Sequence, residues 1–409
     1  MTQQIDSQRL ARTAFRAALL FLLVATGFGF ILRWFAYSPF PNFEYTHLLH
    51  THSHIAFLGW VFNAFFAISI RRFLSNQQLK RCRLLIVVAQ IAVVGMLASF
   101  PFQGYAAVSI AFSTLHLLVS ILFAVMLWSS SRANTVSRKY LRAALTFMLL
   151  SGLGPLCLGP VSAMGLKDSF WYLYCIYFYL HFQYNGWFVF FLLAAFLQNL
   201  EEDSALSNGA NRAFPWLMVG CLVIVCQSGL FAGPVIVLKI LSAIGAVLQL
   251  VGCYHFLAAD RLLHHRLCRS QQTGPQFLVS LAFGSLVLKF GMQFAGSLPG
   301  LEYLASDRFA AISFLHLVFL GFVTPALFVL AIECGWLRFT KTVAIGLALY
   351  LIGFVASELV LIYQPLAILS DWPSFPTQGI LLLSSSFLVF GLFLTSLSGF
   401  RGMNLPGSR

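Results

Sequence analysis

His47-Leu-Leu-His50-Thr-His52-Ser-His54-Ile-Ala-Phe-Leu-Gly59-Trp60 opens an apolar run that continues to about residue 73. Four imidazoles therefore stand at the start of a stretch long enough to cross the ~30 Å hydrocarbon core of a bilayer as a helix. At about 100° per residue, His47, His50 and His54 share one helix face and His52 points roughly the opposite way. Polar groups inside a span are costly and normally face the bundle interior, where something uses them. Imidazole is a good ligand for haem iron, copper and zinc alike. Two histidines from different helices, gripping a flat macrocycle between aromatic walls, would suit these Phe- and Trp-rich surroundings.

The second half of this stretch returns twice. His54-Ile-Ala-Phe-Leu-Gly59-Trp60, His181-Phe-Gln-Tyr-Asn-Gly186-Trp187 and His316-Leu-Val-Phe-Leu-Gly321-Phe322 each read histidine, four residues, glycine, aromatic. The histidines are 127 and 135 residues apart, close to a third of the 409-residue chain. This spacing predicts one polytopic domain, 1–409, built of three pseudo-repeats at approximately 1–135, 136–270 and 271–409. The glycine lets a neighbouring helix, or a macrocycle, approach the backbone closely. Internal repeats in polytopic proteins frequently place the binding site at the repeat interface. Each histidine lies roughly 8 to 12 residues in from one end of its run, so the three are expected at one depth, around one central site.

The rest of the chain fits this reading. Hydrophobic residues make up 59% of it and charged residues only 9%, where a soluble domain carries roughly 25% charged residues. Apolar runs recur at 14–36, 46–73, 82–101, 104–130, 140–165, 170–199, 213–232, 235–258, 276–297, 308–335, 342–364 and 376–400. The expectation is an all-α membrane protein of about twelve spans in three four-helix repeats. The first run is long enough to span and follows a polar, basic segment, so it reads as a membrane helix and not as a removable leader.

The net charge of +13 is no nucleic-acid signal, because the basic residues are sorted by loop. Arg9, Arg12, Arg71, Arg72, Lys80, Arg81, Arg138, Lys139, Arg212, Arg261, Arg338 and Lys341 fall at the N-terminus and after even-numbered runs, whereas Arg33, Lys167 and Arg308 lie on the other side. The positive-inside rule then places both termini on the cytoplasmic face of a bacterial-type inner membrane. The eight cysteines show no CxxC framework and read as small buried hydrophobes.

The histidine-bearing runs are the second, sixth and tenth, and here the chain resembles subunit I of the haem-copper oxidase superfamily, including nitric oxide reductases and C-family oxidases, and more loosely NnrS-type membrane proteins. That family has twelve spans in three four-helix arcs, with ligands on these spans. His50-Thr51, with Gly59 nine residues on, is similar to its low-spin haem motif. His181-x4-Gly186-Trp187 resembles the sixth-helix copper or iron ligand motif, and His316-x4-Gly321 the tenth-helix haem region. The resemblance implies haem b held by His50, His54 and His316, and copper or non-haem iron near His181, with His52 and His116 as further metal candidates. It also implies an electron-donor protein or quinol as partner, and a small gas such as oxygen or nitric oxide as ligand. The sequence departs from the family in the seventh run, where Phe214–Ala232 has no histidine, and in the tenth, which has one.

Among the remaining polar residues, His116 sits mid-run in the fourth span, where a hydrogen-bonded bundle histidine competes with a ligand. Lys289 and Glu358 lie deep in the ninth and eleventh, and intramembrane ionisable groups are functional candidates. His255, His264 and His265 read as solvated. The leading reading is a haem-binding redox protein; as an enzyme it would be an oxidoreductase acting on oxygen or nitric oxide. Two others stand beside it: a transporter or channel using the histidines for a cation or proton, and a haem or metal sensor or assembly protein without turnover.

Overall fold

In lipid, a backbone finds no water to bond with, so long apolar runs close their hydrogen bonds within themselves as helices. The computed structural model describes residues 2–130, 135–198, 204–232, 235–258, 273–301, 303–373 and 375–402. His264, His265 and the basic loop around them lie outside these. Among the described residues there is no strand, and twelve helices are long and apolar enough to span: α1 (Asp6–Tyr37), α2 (Tyr45–Arg72), α3 (Leu79–Gln103), α4 (Ala107–Ser130), α5 (Val136–Ala163), α6 (Phe170–Gln198), α7 (Leu206–Phe231), α8 (Ile236–Ala258), α9 (Gly274–Ala295), α10 (Arg308–Glu333), α11 (Lys341–Leu369) and α12 (Thr377–Phe400). The protein is a multi-pass helical membrane protein.

The histidine-bearing helices are set apart by burial. In α2, α6 and α10, 78%, 89% and 72% of the most apolar stretch is buried, against 33–50% in the other nine. They are set apart again by their backbone. Each changes from an α-helix to a π-helical turn at the residue after its histidine: Ile55–Val61 after His54, Phe182–Phe188 after His181, and Leu317–Val323 after His316. A π turn closes i→i+5 hydrogen bonds, which makes it wider than an α turn; such turns are rare and are frequently found at functional sites. The last amides of two of these turns show the pattern: Phe62 N–H donates to Phe57 O, and Thr324 N–H to Phe319 O.

The chain divides into two compact units, Met1–Ser130 with Leu327–Arg409, and Ser131–Ala326. In the first unit α1 packs along the first π turn and against α12, α2 against α3, α3 against α4, and α11 against α12. Phe15 joins Trp60 and Trp336 at ring-centroid distances of 6.3 and 5.1 Å, and Trp60 meets Phe328 at 6.1 Å. Arg72 and Glu333 pair at 2.5 Å at the far ends of α2 and α10.

In the second unit α5 packs on the second π turn and α9 on the third. Ser137 Oγ donates to Ala194 O at 2.9 Å, and Tyr140 Oη to Ala210 O at 2.8 Å, which ties α5 to α6 and α7. Asp307 caps α10 by accepting from the Phe309 and Ala310 amides, both at 2.8 Å. Each π turn thus lies against the odd-numbered helix that precedes it.

Candidate functional site

The glycine in the repeated motif has one visible use. A Cβ on Gly59 would stand 2.9 Å from Cβ and Cγ of Phe21 in α1, and a Cβ on Gly186 would stand 2.5 Å from Phe147 Cβ in α5. Both contacts are shorter than carbon atoms tolerate, so only glycine lets the preceding helix press a phenylalanine onto the π turn. The turn's displaced carbonyls are also accounted for in α2. Asn63 Nδ2 donates to Gly59 O at 2.7 Å and Leu58 O at 3.3 Å, while Gln90 Nε2 from α3 donates to Asn63 Oδ1. Such a clip supplies the partners that a wide turn needs when it is buried.

In the first unit the α2 histidines divide as helical spacing requires. His52 turns to α1, where its Nδ1–H donates to Ala25 O at 2.8 Å. A carbonyl accepts only, so Nδ1 carries the proton and Nε2 the lone pair. Gly29 faces that ring, and a Cβ there would lie 3.1 Å from His52 Cε1. His50 and His54 turn instead to the end of α3 and the loop after it. His54 Nδ1–H donates to His50 O at 2.8 Å, and Tyr105 Oη donates to His54 Nε2 at 3.2 Å. The His54 ring lies 4.4 Å from that of Phe100, and the His50 ring 4.5 Å from that of Tyr105.

His47, nearer the start of α2, pairs with Glu44 at 3.3 Å. Gly104, at φ +56°, sits against the His47 ring where a side chain would collide with it. His116 of α4 is buried beside Phe62, with ring centroids 4.7 Å apart, and its Nδ1 lies 3.3 Å from Ser120 Oγ. Tyr105 went unmarked in the sequence. A loop tyrosine after a glycine carries no periodic signal, and only the turn at Gly104 brings it over His54.

In the second unit His181 is fully engaged. Its Nε2–H donates to Cys221 O of α7 at 2.9 Å, and its Nδ1 accepts from Asn185 Nδ2 at 2.9 Å. The ring is buried, and metal coordination there requires one of these bonds to break. Gln183 Nε2 donates to Ser151 Oγ at 2.8 Å, anchoring the same turn to α5. His316 is half-buried at the head of the third π turn. The second turn meets α10 through aromatic edges, Phe188 on Phe319 of the third turn and Tyr184 on Phe314 just before it, each at 5.5 Å. Lys289 of α9 is buried, donates to Gln293 Oε1 at 3.0 Å and lies 4.2 Å above the Phe290 ring.

Among the described residues no three His, Cys, Asp or Glu side chains gather tightly enough to hold a metal. The donor chemistry of the first unit nonetheless fits a haem or metal, since His52 and His54 each fix Nδ1–H on a carbonyl and keep Nε2 as the basic nitrogen, which in His54 accepts from Tyr105. That is the tautomer and orientation a coordinating imidazole adopts.

No family model matches the chain, and no curated protein matches it. Solved structures do. A chain of a haem-copper terminal oxidase dimer, determined by cryo-electron microscopy, is similar at a TM-score of 0.67 and 13% identity, over 98% of this chain and 85% of that one. The chain therefore shares the fold of that oxidase chain.

Proposed function

We propose that the chain is a redox membrane protein that binds haem b, and a copper or non-haem iron ion, through its intramembrane histidines. The observation that carries this reading is the repeated unit of histidine, π turn and phenylalanine-packed glycine in α2 and α6, with the histidine and π turn again in α10. It occurs in a chain with the fold of a haem-copper terminal oxidase. Rare wide turns placed behind three histidines re-aim the helix face on which a flat ligand would lie.

His50, His54 and His316 are the candidate haem ligands, with His52, His116 and His181 the candidates for the second metal. His52 is the best prepared of them, because its carbonyl partner on α1 fixes the ring. His181 is the least prepared, with Cys221 O and Asn185 on its two nitrogens. When bound, haem supplies one-electron transfer, and reaction with a small gas where a coordination position is open. The chain's own residues orient the imidazoles, exclude water with Phe100 and Phe62, and hold the tautomers. Electrons come from a protein donor or a quinol, and the basic loops set both termini on the cytoplasmic side of the inner membrane.

A visible spectrum of the purified protein tests this. The expected result is a Soret band that shifts on dithionite reduction and is lost on replacing the α2 and α10 ligands by alanine. Metal-replete protein with no haem band overturns the reading in favour of cation or proton transport.

A further inference from the structure

The second unit carries a pair of thiols that the histidine sites do not use. Cys82, Cys221 and Cys253 are buried as small hydrophobes, but Cys157 of α5 is exposed and Cys175 of α6 half-buried. Their side chains meet in a thiol–thiol hydrogen bond. The two helices are consecutive spans joined by residues 164–169, so they run antiparallel. Gly154 sets how closely they approach. A Cβ there would stand 2.5 Å from Cys175 O and 2.8 Å from Tyr179 Cβ, so the backbones nearly touch. Cys157 lies one turn further along the same face. Helix axes usually pack about 8–10 Å apart, whereas a disulfide needs Cα atoms about 4.4–6.8 Å apart. A pair drawn together over a glycine meets that need.

The depth of the pair suits oxidation. Cys157 lies six residues before the end of α5 and Cys175 five residues after the start of α6, in helices of 28 and 29 residues. Such helices are about 42 Å long against a ~30 Å hydrocarbon core, which places both thiols within about 3 Å of its edge. Exposed Trp171, one turn before Cys175, is the residue type that marks the membrane–water interface. By the orientation given above this end faces outward, where thiols meet oxidising proteins.

We propose that Cys157 and Cys175 are oxidised to a disulfide that joins α5 to α6 at the outer face. The proposal goes beyond the haem reading and shares with it only the orientation of the helices. The oxidant is a disulfide-exchange protein of the outer compartment. The thiolate of exposed Cys157 attacks a sulfur of the oxidant's disulfide, forming a mixed disulfide and freeing one thiol. Cys175 then attacks the Cys157 sulfur and frees the second. Two electrons and two protons pass to the oxidant, which leaves as a dithiol. The bond braces α6 within two turns of His181 and the π turn behind it. Tyr174 interacts with both Cys175 and half-buried Cys226 of α7, which makes Cys226 the rival partner.

Native membranes are quenched in acid, denatured and alkylated with N-ethylmaleimide, and the intact chain is weighed by mass spectrometry. Six of the eight cysteines are expected to react, all eight after dithiothreitol, with a cross-linked peptide joining Cys157 to Cys175. Cys157→Ser and Cys175→Ser should each leave every remaining cysteine reactive, and Cys226→Ser should keep the cross-link. Eight reactive cysteines in wild-type membranes overturn the proposal, as does a cross-link through Cys226. In the first case, oxidised glutathione added to the full chain in detergent locates the fault. A bond formed then faults the orientation, and no bond faults the contact between the thiols. The Soret band of the same preparations bears on the haem reading alone.

Discussion

The π turns of α2 and α6 begin from one motif and end in different surroundings. In both, a histidine precedes the turn and the glycine five residues on receives a phenylalanine, Phe21 for Gly59 and Phe147 for Gly186. Beyond that they part. His181 is bonded on both nitrogens to groups of its own unit, Cys221 O and Asn185. His54 is bonded on both nitrogens as well, to His50 O and Tyr105 Oη, but the phenol on its Nε2 stands on a half-exposed loop. The motif thus specifies a backbone shape and its packing, while the residues facing the imidazole decide whether it serves structure or a ligand.

The steric half of this comparison gives the largest expected effect. Gly186→Val should destabilise the protein by about 3 kcal/mol or prevent its accumulation, because the new methyl groups overlap Phe147. Gly59→Val, against the longer Phe21 contact, should cost less. Thermal unfolding in detergent measures both, and Phe147→Ala should recover part of the Gly186→Val loss. Equal tolerance of both valines would mean that the close approach is not what the glycines are for.

The histidines should separate next. His181→Leu leaves the Cys221 carbonyl and the Asn185 amide buried without their partner, a loss of about 2–4 kcal/mol. His54→Leu removes one bond each from the His50 carbonyl and the half-exposed Tyr105 hydroxyl, and should cost under ~1 kcal/mol while removing bound metal. Unfolding and metal content, measured on the same preparations, decide it. Similar stability losses would erase the distinction drawn here between the two sites.

Asn63→Leu, which strips the clip from Gly59 O and orphans Gln90, should cost about 1–2 kcal/mol, read from the same unfolding curves. Glu44→Gln should change stability by less than ~0.5 kcal/mol, since the Glu44 carboxylate in the pair with His47 is exposed. A larger shift there would show that the mouth of α2 carries more of the site than its ring contacts suggest.

Much of the architecture was legible because hydropathy alone dictates it. The run expected at 46–73 is the helix Tyr45–Arg72, and that expected at 308–335 is Arg308–Glu333. The fifth begins four residues earlier than its apolar residues do, because the amphipathic turn at Val136–Lys139 continues the helix beneath its Thr135 cap. The close-approach glycines were legible too, as were the opposed faces of His52 and His54. The π turns were not. Residues 55–61 have no composition that separates an i→i+5 turn from an α turn, and the choice is made by Phe21 pressing on Gly59 and by Asn63 taking up the displaced carbonyls. Tyr105 was hidden for a similar reason, since its position depends on the backbone turn at Gly104. Nor does local sequence reveal that Asn185 and Cys221 O close around His181, because α7 reaches it from 40 residues away.

A π turn is, in effect, one supernumerary residue stored in a helix. Everything downstream of it is advanced by about 100° and ~1.5 Å relative to an uninterrupted α-helix. In α2 that phase shift lies between His54 and Arg72, and in α10 between His316 and Glu333. Arg72 and Glu333, each beyond its turn, pair with that offset already built in. Deleting a single residue from the Ile55–Val61 turn should therefore swing Arg72 round the helix and part the pair.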